Sequence, residues 1–391
     1  MSAQTLTTGI GSSEASSADE AGRRAAAMAL EKLGSDKAAL VIAYATVAYD
    51  LQALLAGIRA VVGDVPVVGS SSCGQFHDGT YVPVGSGVLV LALSAGPYRF
   101  GVSSVDGLAA GDAEALGRTL AFEARSAAGP DLPPYGAVLL LSDGMAGHQQ
   151  HLLNGMYRVT GAAIPVVGGA SGDDFAFRVG YVFHDDRVLQ DAAVAVWIGS
   201  ETPLKPSAKH GYTSASLPLL VTRVDGLDVQ EIAGRPARDV YQDVLGDHSE
   251  SLEGRTYSVL AQEHPFGLIQ ADGSHLIRVV RTGDDQAALK TFTELPEFSA
   301  VNIMSGTADD LLAITEPLVV EALEGHDAKI LLLFSCAARH EVLGDRVPEE
   351  AARFQSAAGD VPTFGFYTYG EYCRTRSVAG HHNATIAALA L

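Results

Sequence analysis

A chain of 391 residues, 47% hydrophobic and 18% charged, carries more apolar material than one core usually organises, which points to a globular protein of two domains. Its formal charge of −20 would repel phosphate-bearing partners, which argues against nucleic acid and anionic membranes as binding partners. Three cysteines, Cys73, Cys336 and Cys373, with no CxxC spacing, argue against a disulfide framework and fit a reducing cytoplasm.

The first residues hold no basic segment followed by an apolar run, so no secretory signal is expected. No later stretch reaches the roughly 18 apolar residues of a membrane-spanning helix, so a cytoplasmic protein without membrane insertion is predicted. Residues 5–10 read as a strand, and Ser17 followed by Asp19, Glu20 and an Ala-rich run to Leu33 reads as a capped helix. Residues 1–35 are thus an N-terminal strand and helix expected to pack on the first lobe. Residues 39–44 are apolar, Leu51, Leu54, Ile58 and Val61 recur at helical spacing, and residues 65–68 are apolar again. This is a βαβ unit with parallel strands and a right-handed crossover. Residues 85–93 and 98–105 read as further antiparallel strands around a Ser-Ala-Gly-Pro turn. The plan then returns with a strand at 137–141, a helix around 151–159, Val166 and Val167, and strands near 181–184 and 192–198. A linker is read at about residues 201–217, and a third copy follows with a strand at 329–334, a helix through 349–355 and a strand at 363–366. The predicted class is α/β: two lobes with mixed β-sheets built from repeated βαβ units plus antiparallel strands.

Each unit ends in the same loop. Residues 66–76 (PVVGSSSCGQF), 165–175 (PVVGGASGDDF) and 362–372 (PTFGFYTYGEY) align without gaps, sharing Pro, Gly three on, Ser or Thr six on, and an aromatic ten on. The residue nine on is Gln75, Asp174 or Glu371. Gly69 and Gly168 lie 99 residues apart and Gly168 and Gly365 lie 197 apart, with Pro265, Phe266 and Gly267 near where a fourth copy would fall.

VVGGASGDD with YVFHDDRVLQDAAVAVWI resembles the N-terminal half of FIST (F-box and intracellular signal transduction) proteins, and FSCAARHEVLG with FGFYTYGEYC resembles their C-terminal half. The resemblance implies a FIST N-terminal domain at residues 36–205, holding two repeats, and a FIST C-terminal domain at residues 217–391. It further implies a sensory module of bacterial signal transduction that binds an amino acid or similar small metabolite. With no output domain recognisable in the sequence, the signal is expected to pass to a separate partner: a histidine kinase, a chemoreceptor or a cyclic-dinucleotide enzyme. Some members look like haem-containing nitric oxide sensors, which keeps haem open as a cofactor where none is otherwise expected.

Ligands of open α/β sheets bind outside the carboxyl ends of the parallel strands, and both strands of a βαβ unit share that edge. This brings residues 335–340 near 367–371, Ser142 and Asp143 near 171–174, and Thr46 near 70–75. The candidate ligand-binding residues are Gly168, Gly169, Ser171, Asp173 and Asp174 in the second copy, and Cys336, Arg339, Tyr367, Tyr369, Gly370 and Glu371 in the third. The glycines permit close backbone approach or an anion-holding nest. Arg339 and Glu371 complement the carboxylate and ammonium of an amino acid, or else form a plain ion pair, with Arg278 and Arg281 as alternative carboxylate binders. A tyrosine offers an apolar wall with a polar tip, whereas acidic turn residues usually bond the nearby backbone. Cys336 with His340 four residues on supports a competing reading, a cysteine-dependent hydrolase or transferase. Haem-based sensing or metal binding would draw on His148 and His151, or on His381 and His382. No catalytic residue or metal ligand is assigned.

Overall fold

The computed structural model describes residues 5–246, 254–281, 288–374 and 380–391. Three times the chain runs strand, helix, strand, helix, strand, hairpin, strand. The first unit comprises β1 (Thr8–Ser13), α1 (Ala18–Leu33), β2 (Ala38–Ala45), α2 (Leu51–Val62), β3 (Val67–Ser71), the hairpin β4 (Gln75–His77) and β5 (Thr80–Val82), and β6 (Val88–Ser94). The second comprises β7 (Tyr98–Asp106), α3 (Ala113–Ala127), β8 (Tyr135–Asp143), α4 (Gln149–Thr160), β9 (Val166–Ser171), the hairpin β10 (Val182–His184) and β11 (Arg187–Leu189), and β12 (Ala192–Ser200).

The third unit opens with β13 (Ser207–Lys209) and is then interrupted. The insert holds β14 (Thr213–Ser214), β15 (Leu219–Asp225), β16 (Asp228–Ile232), β17 (Arg235–Pro236), α5 (Ala237–Leu245), α6 (Gly254–Glu263), β18 (Phe266–Ile269), β19 (His275–Arg278), β20 (Val280–Arg281), β21 (Leu289–Thr291) and β22 (Ala300–Ser305). The unit resumes with α7 (Ala308–Ala313), α8 (Thr315–Leu323), β23 (Leu331–Cys336), α9 (Ala337–Leu343), α10 (Val347–Ala358), β24 (Thr363–Thr368), the hairpin β25 (Glu371–Arg374) and β26 (His381–His382), and β27 (Ile386–Ala390). The doubled spacing between Gly168 and Gly365 therefore comes from an insert and not from a fourth copy. Pro265 leads into β18, which pairs antiparallel with β19 and β22 and belongs to no βαβ crossover.

Local chemistry explains the elements. In α2, the Asp50 side chain caps the N–H groups of Gln52 and Ala53, Leu51, Leu54, Leu55 and Ile58 supply the buried stripe, and Gly63 at φ 64 ends the helix. Along β2 the pleat sends Val41, Ala43 and Ala45 toward α1 and α2, and Leu40, Ile42 and Tyr44 into a core shared by all three units. The same alternation puts Leu139 and Leu141, and Leu332 and Phe334, into that common core, while Leu140 and Leu333 face their own units' helices. Strands buried on both faces read as unbroken apolar runs, which is how they appear in the sequence.

The predicted α/β class holds, with mixed sheets of repeated βαβ units plus antiparallel strands and an arrangement consistent with two domains. The three unit sheets have identical order: first strand, last strand, the parallel pair, then a hairpin contributed by another unit. Hairpin β4–β5 joins the third sheet beside β24, β10–β11 joins the first beside β3, and β25–β26 joins the second beside β9. Each unit thus lends its hairpin around a closed cycle. The insert forms a separate sheet of nine strands.

The repeated glycines mark these exchanges: Gly365 pairs with Phe76, Gly168 with Tyr372 and Gly69 with Phe183. A Cβ on Gly365 would lie 2.4 Å from the Leu333 carbonyl oxygen and 2.5 Å from the Phe76 ring. Close approach is therefore the reason for glycine there. The second copy departs from the ungapped alignment, because its hairpin aromatic is Phe183 and not Phe175. Residues 172–180 form an added loop, so Asp174 is not the counterpart of Gln75 and Glu371. Among the described residues no helix is long and apolar enough to cross a membrane.

Candidate functional site

The loops after β3, β9 and β24 meet and interlock through backbone hydrogen bonds. The Gly172 N–H donates to the Ser71 carbonyl, the Cys73 N–H to Tyr367, and the Tyr369 N–H to Ala170, at 3.2, 3.0 and 3.0 Å. Beside this junction, where the second and third units face the insert, lies a narrow cleft of about 60 Å³. Its walls are aromatic, from Phe175, Phe177 and Tyr369 on the ring of units and Phe292 on the insert. Tyr369 stacks on Phe177 with ring centroids 4.6 Å apart and planes 8° from parallel. Polar side chains reach it from Gln149, Gln262, Thr293, Glu341, His381 and Asn383, and Cys336 lies at its base. A second cleft, toward the N-terminus of α4, shares Gln149, Phe292, Thr293 and His381 with the first.

Cys336 and His381 line the cleft, and behind Cys336 lies Glu371, which does not itself reach it. Glu371 is fully buried, and burial pushes its carboxyl up to about 8 despite bonds from the Thr368 hydroxyl (2.5 Å), the Thr385 N–H (3.1 Å) and the Cys336 thiol. Burial first, and the neighbouring Glu371 second, push the Cys336 thiol well above its ordinary range. Burial lowers His381 to about 3, helped by the charge of Arg278. A protonated thiol backed by a protonated carboxyl, with a neutral imidazole on the same cleft, offers hydrogen-bonding groups and not an activated nucleophile.

The structure brings together part of the candidate set. Cys336 and Tyr369 line the cleft. Asp173, 1% exposed, accepts the Tyr369 hydroxyl at 2.5 Å and the N–H groups of Phe177, Arg178 and Val179, so it shapes the aromatic loop. Asp174 ties that loop to the first unit, accepting from the Thr46 hydroxyl and the Val47 N–H. Ser171 accepts from the Gly144 N–H at 3.4 Å. Gly168 (φ 148), Gly169 and Gly370 occupy close contacts, where a Cβ would meet the Leu140 carbonyl, the Thr368 side chain and the His381 ring respectively.

Arg339 and Tyr367 are placed elsewhere. The ion pair of Arg339 is with Glu350 (2.7 Å, both fully buried), not Glu371, and its remaining donors go to the His210 and Leu311 carbonyls. Tyr367 donates to the same Glu350 at 2.9 Å. His340 does not face Cys336: it bonds the Tyr81 hydroxyl at 2.7 Å, and burial lowers it to about 4. Arg281 lies over the Phe292 ring. Among the described residues, no group of three or more His, Cys, Asp or Glu is arranged to hold a metal ion.

Sequence reasoning missed Gln149, Phe177, Phe292, Thr293 and Asn383. Four of these carry no local motif. Phe177 had a signal in the extra length of the second loop, where Asp174, Phe175 and Phe177 all adopt positive φ (53°, 64° and 53°).

An uncharacterized protein of Methanocaldococcus jannaschii is 24% identical over 230 residues, covering 54% of this chain and 43% of that protein. Uncharacterized proteins of Mycobacterium bovis and Mycobacterium tuberculosis are each 24% identical over 200 residues, 49% of this chain and 50% of theirs. The matches thus span about half the length of these relatives. A crystal structure of cyanuric acid hydrolase from A. caulinodans aligns over 98% of this chain and 99% of its own, with a TM-score of 0.38 and 10% identity. The sequence matches the FIST N domain over residues 39–235 and the FIST C domain over residues 237–374, domains associated with sensory modules of signal transduction. The chain belongs to the FIST family.

Proposed function

We propose that this chain is a bacterial sensory module that binds a small polar metabolite, an amino acid or a close relative, in the aromatic-walled cleft and signals through a separate protein. The observation that carries this reading is the cleft's position and composition: it sits at the carboxyl ends of the parallel strands, with aromatic walls and the buried side chains of Cys336 and His381 in its lining. Left-handed backbone at Asp174, Phe175 and Phe177 is the kind of local strain that collects at binding sites. The insert supplies the opposite wall, joined to the ring at this site by side-chain bonds such as Thr293 to Asn383 at 2.8 Å and Arg278 to the His381 carbonyl at 3.1 Å, and a small shift of that wall is the motion the reading invokes. Ligand binding would then favour one placement of the insert, and a kinase, chemoreceptor or cyclic-dinucleotide enzyme would read the change.

A thermal-shift screen with free amino acids and small metabolites tests the reading. A true ligand at a hundredfold excess over its dissociation constant stabilises the fold by about 2.7 kcal/mol, and Tyr369→Ala should remove that shift. A screen in which no metabolite moves the transition would overturn it.

A further inference from the structure

Arg278 is 4% exposed, and among the described residues no carboxylate pairs with it. Its Nε donates to the Glu294 carbonyl at 3.3 Å, and one terminal nitrogen donates to the carbonyls of Ile277 and His381 at 3.0 and 3.1 Å. The other terminal nitrogen has no partner among the described residues. Burial alone pulls the guanidinium down to about 10, still far above neutrality, so the group remains a cation. A buried charge ordinarily has a counter-ion, and here it lines the second cleft instead.

The N-terminus of α4 lines the same cleft, through Gly147, His148, Gln149 and Gln150. Its cap residue, His148, adopts a left-handed conformation (φ 59, ψ 19), and its side chain caps no N–H group of the first turn. A 12-residue helix presents the positive end of its dipole there. Glu294 is the one acidic residue among those lining this cleft, and it is exposed. Two independent positive features therefore converge on one space in a chain of net charge −20.

We propose that Arg278 and the first turn of α4 form the carboxylate subsite of the ligand cleft, which rests on the reading of that cleft as a ligand site. A single buried guanidinium matches the single charge of a carboxylate, whereas a phosphate dianion would leave charge uncompensated. The two clefts share Phe292 and Thr293, so a ligand anchored by its carboxylate extends its body between the aromatic walls. This is the role that the sequence suggests for Arg339, whose guanidinium is taken up by Glu350.

The test measures the thermal shift of the full chain with L-alanine, L-glutamine, L-phenylalanine and acetate, each beside its primary amide, and with inorganic phosphate. At least one acid should stabilise the protein while its amide does not, and Arg278→Gln should weaken the acid roughly ten- to a hundredfold. A second variant leaves Arg278 in place. Leu268 is half-buried in this cleft and diagonal to Arg278 across the β18–β19 pair, so Leu268→Glu supplies a tethered carboxylate, with Leu268→Gln as its neutral match. Leu268→Glu should raise the transition above that of Leu268→Gln and show the smaller response to acid. Acid and amide acting alike, or an acid response that survives both Arg278→Gln and Leu268→Glu, would overturn the subsite and leave the ligand cleft standing. A phosphate response lost in Arg278→Gln would overturn carboxylate as the class, and silence from every probe would overturn the subsite and count against the cleft itself.

Discussion

Glu371 shows how a residue's surroundings set its chemistry. Burial holds its carboxyl at about 8, above the ordinary 4.5, so the folded chain keeps a proton that the unfolded chain releases. The stability tied to that proton is fully present below about 4.5 and is lost as pH rises through about 8. Buried histidines act in the opposite direction: His381 is lowered to about 3 and His210, His340 and His382 to about 4, so as pH falls the unfolded chain takes up protons that the fold refuses. They still contribute at pH 6.5, where an unfolded imidazole is half protonated, so the carboxyl is isolated by comparison with Glu371→Gln, which keeps the shape and the histidines without the titration. In urea unfolding, wild-type stability should fall by roughly 1–2 kcal/mol relative to that variant between pH 6.5 and 8. A difference between the two that stays constant across the window would mean that Glu371 is ionised in the fold. Residue identity alone could not rank the two arginines: Arg339 and Arg278 differ in whether a carboxylate from another element reaches them, and only the first meets Glu350.

At the scale of elements, the exchanged hairpins carry the joints between units. Phe76 is fully buried, lies over Gly365, and packs against Phe354 and Tyr367 with centroid distances of 5.4 Å in both pairs. It belongs to the first unit, yet its neighbours belong to the third. Phe76→Ala should therefore cost roughly 3–5 kcal/mol in chemical unfolding, as a large aromatic lost from a packed core does. It should also speed hydrogen exchange in β24, the strand it pairs with. A loss below about 1 kcal/mol would show that the joint is loosely packed. The βαβ units were legible because their apolar runs, helical spacing and repeated glycines are local. The exchange was not, because β4 pairs with a strand nearly three hundred residues later and nothing in either segment names its partner. The insert was legible only as spacing, since its short antiparallel strands share no pattern with the units.

At the scale of the molecule, the cycle of lent hairpins makes the two FIST domains mutually dependent. The FIST N match ends at residue 235 and the FIST C match begins at residue 237, and that boundary lies inside the insert's own sheet, between β16 and β21, which pair. A cut in the linker before β13 spares that sheet but strands three pieces: β4–β5 loses the third sheet, β9 loses β25–β26, and the common core loses Leu332, Phe334, Phe364, Phe366 and Leu389. Each fragment would expose both an unpaired strand edge and an apolar sheet face, the two features that drive association. Residues 1–205 and residues 206–391, made separately, should lack a cooperative thermal transition and should self-associate. Produced together they should recover a one-to-one complex whose far-ultraviolet and near-ultraviolet circular dichroism match the intact chain. A fragment of residues 1–205 that unfolds cooperatively as a monomer would show that the first two units close their core without the third, and that the exchange decorates the fold without holding it together.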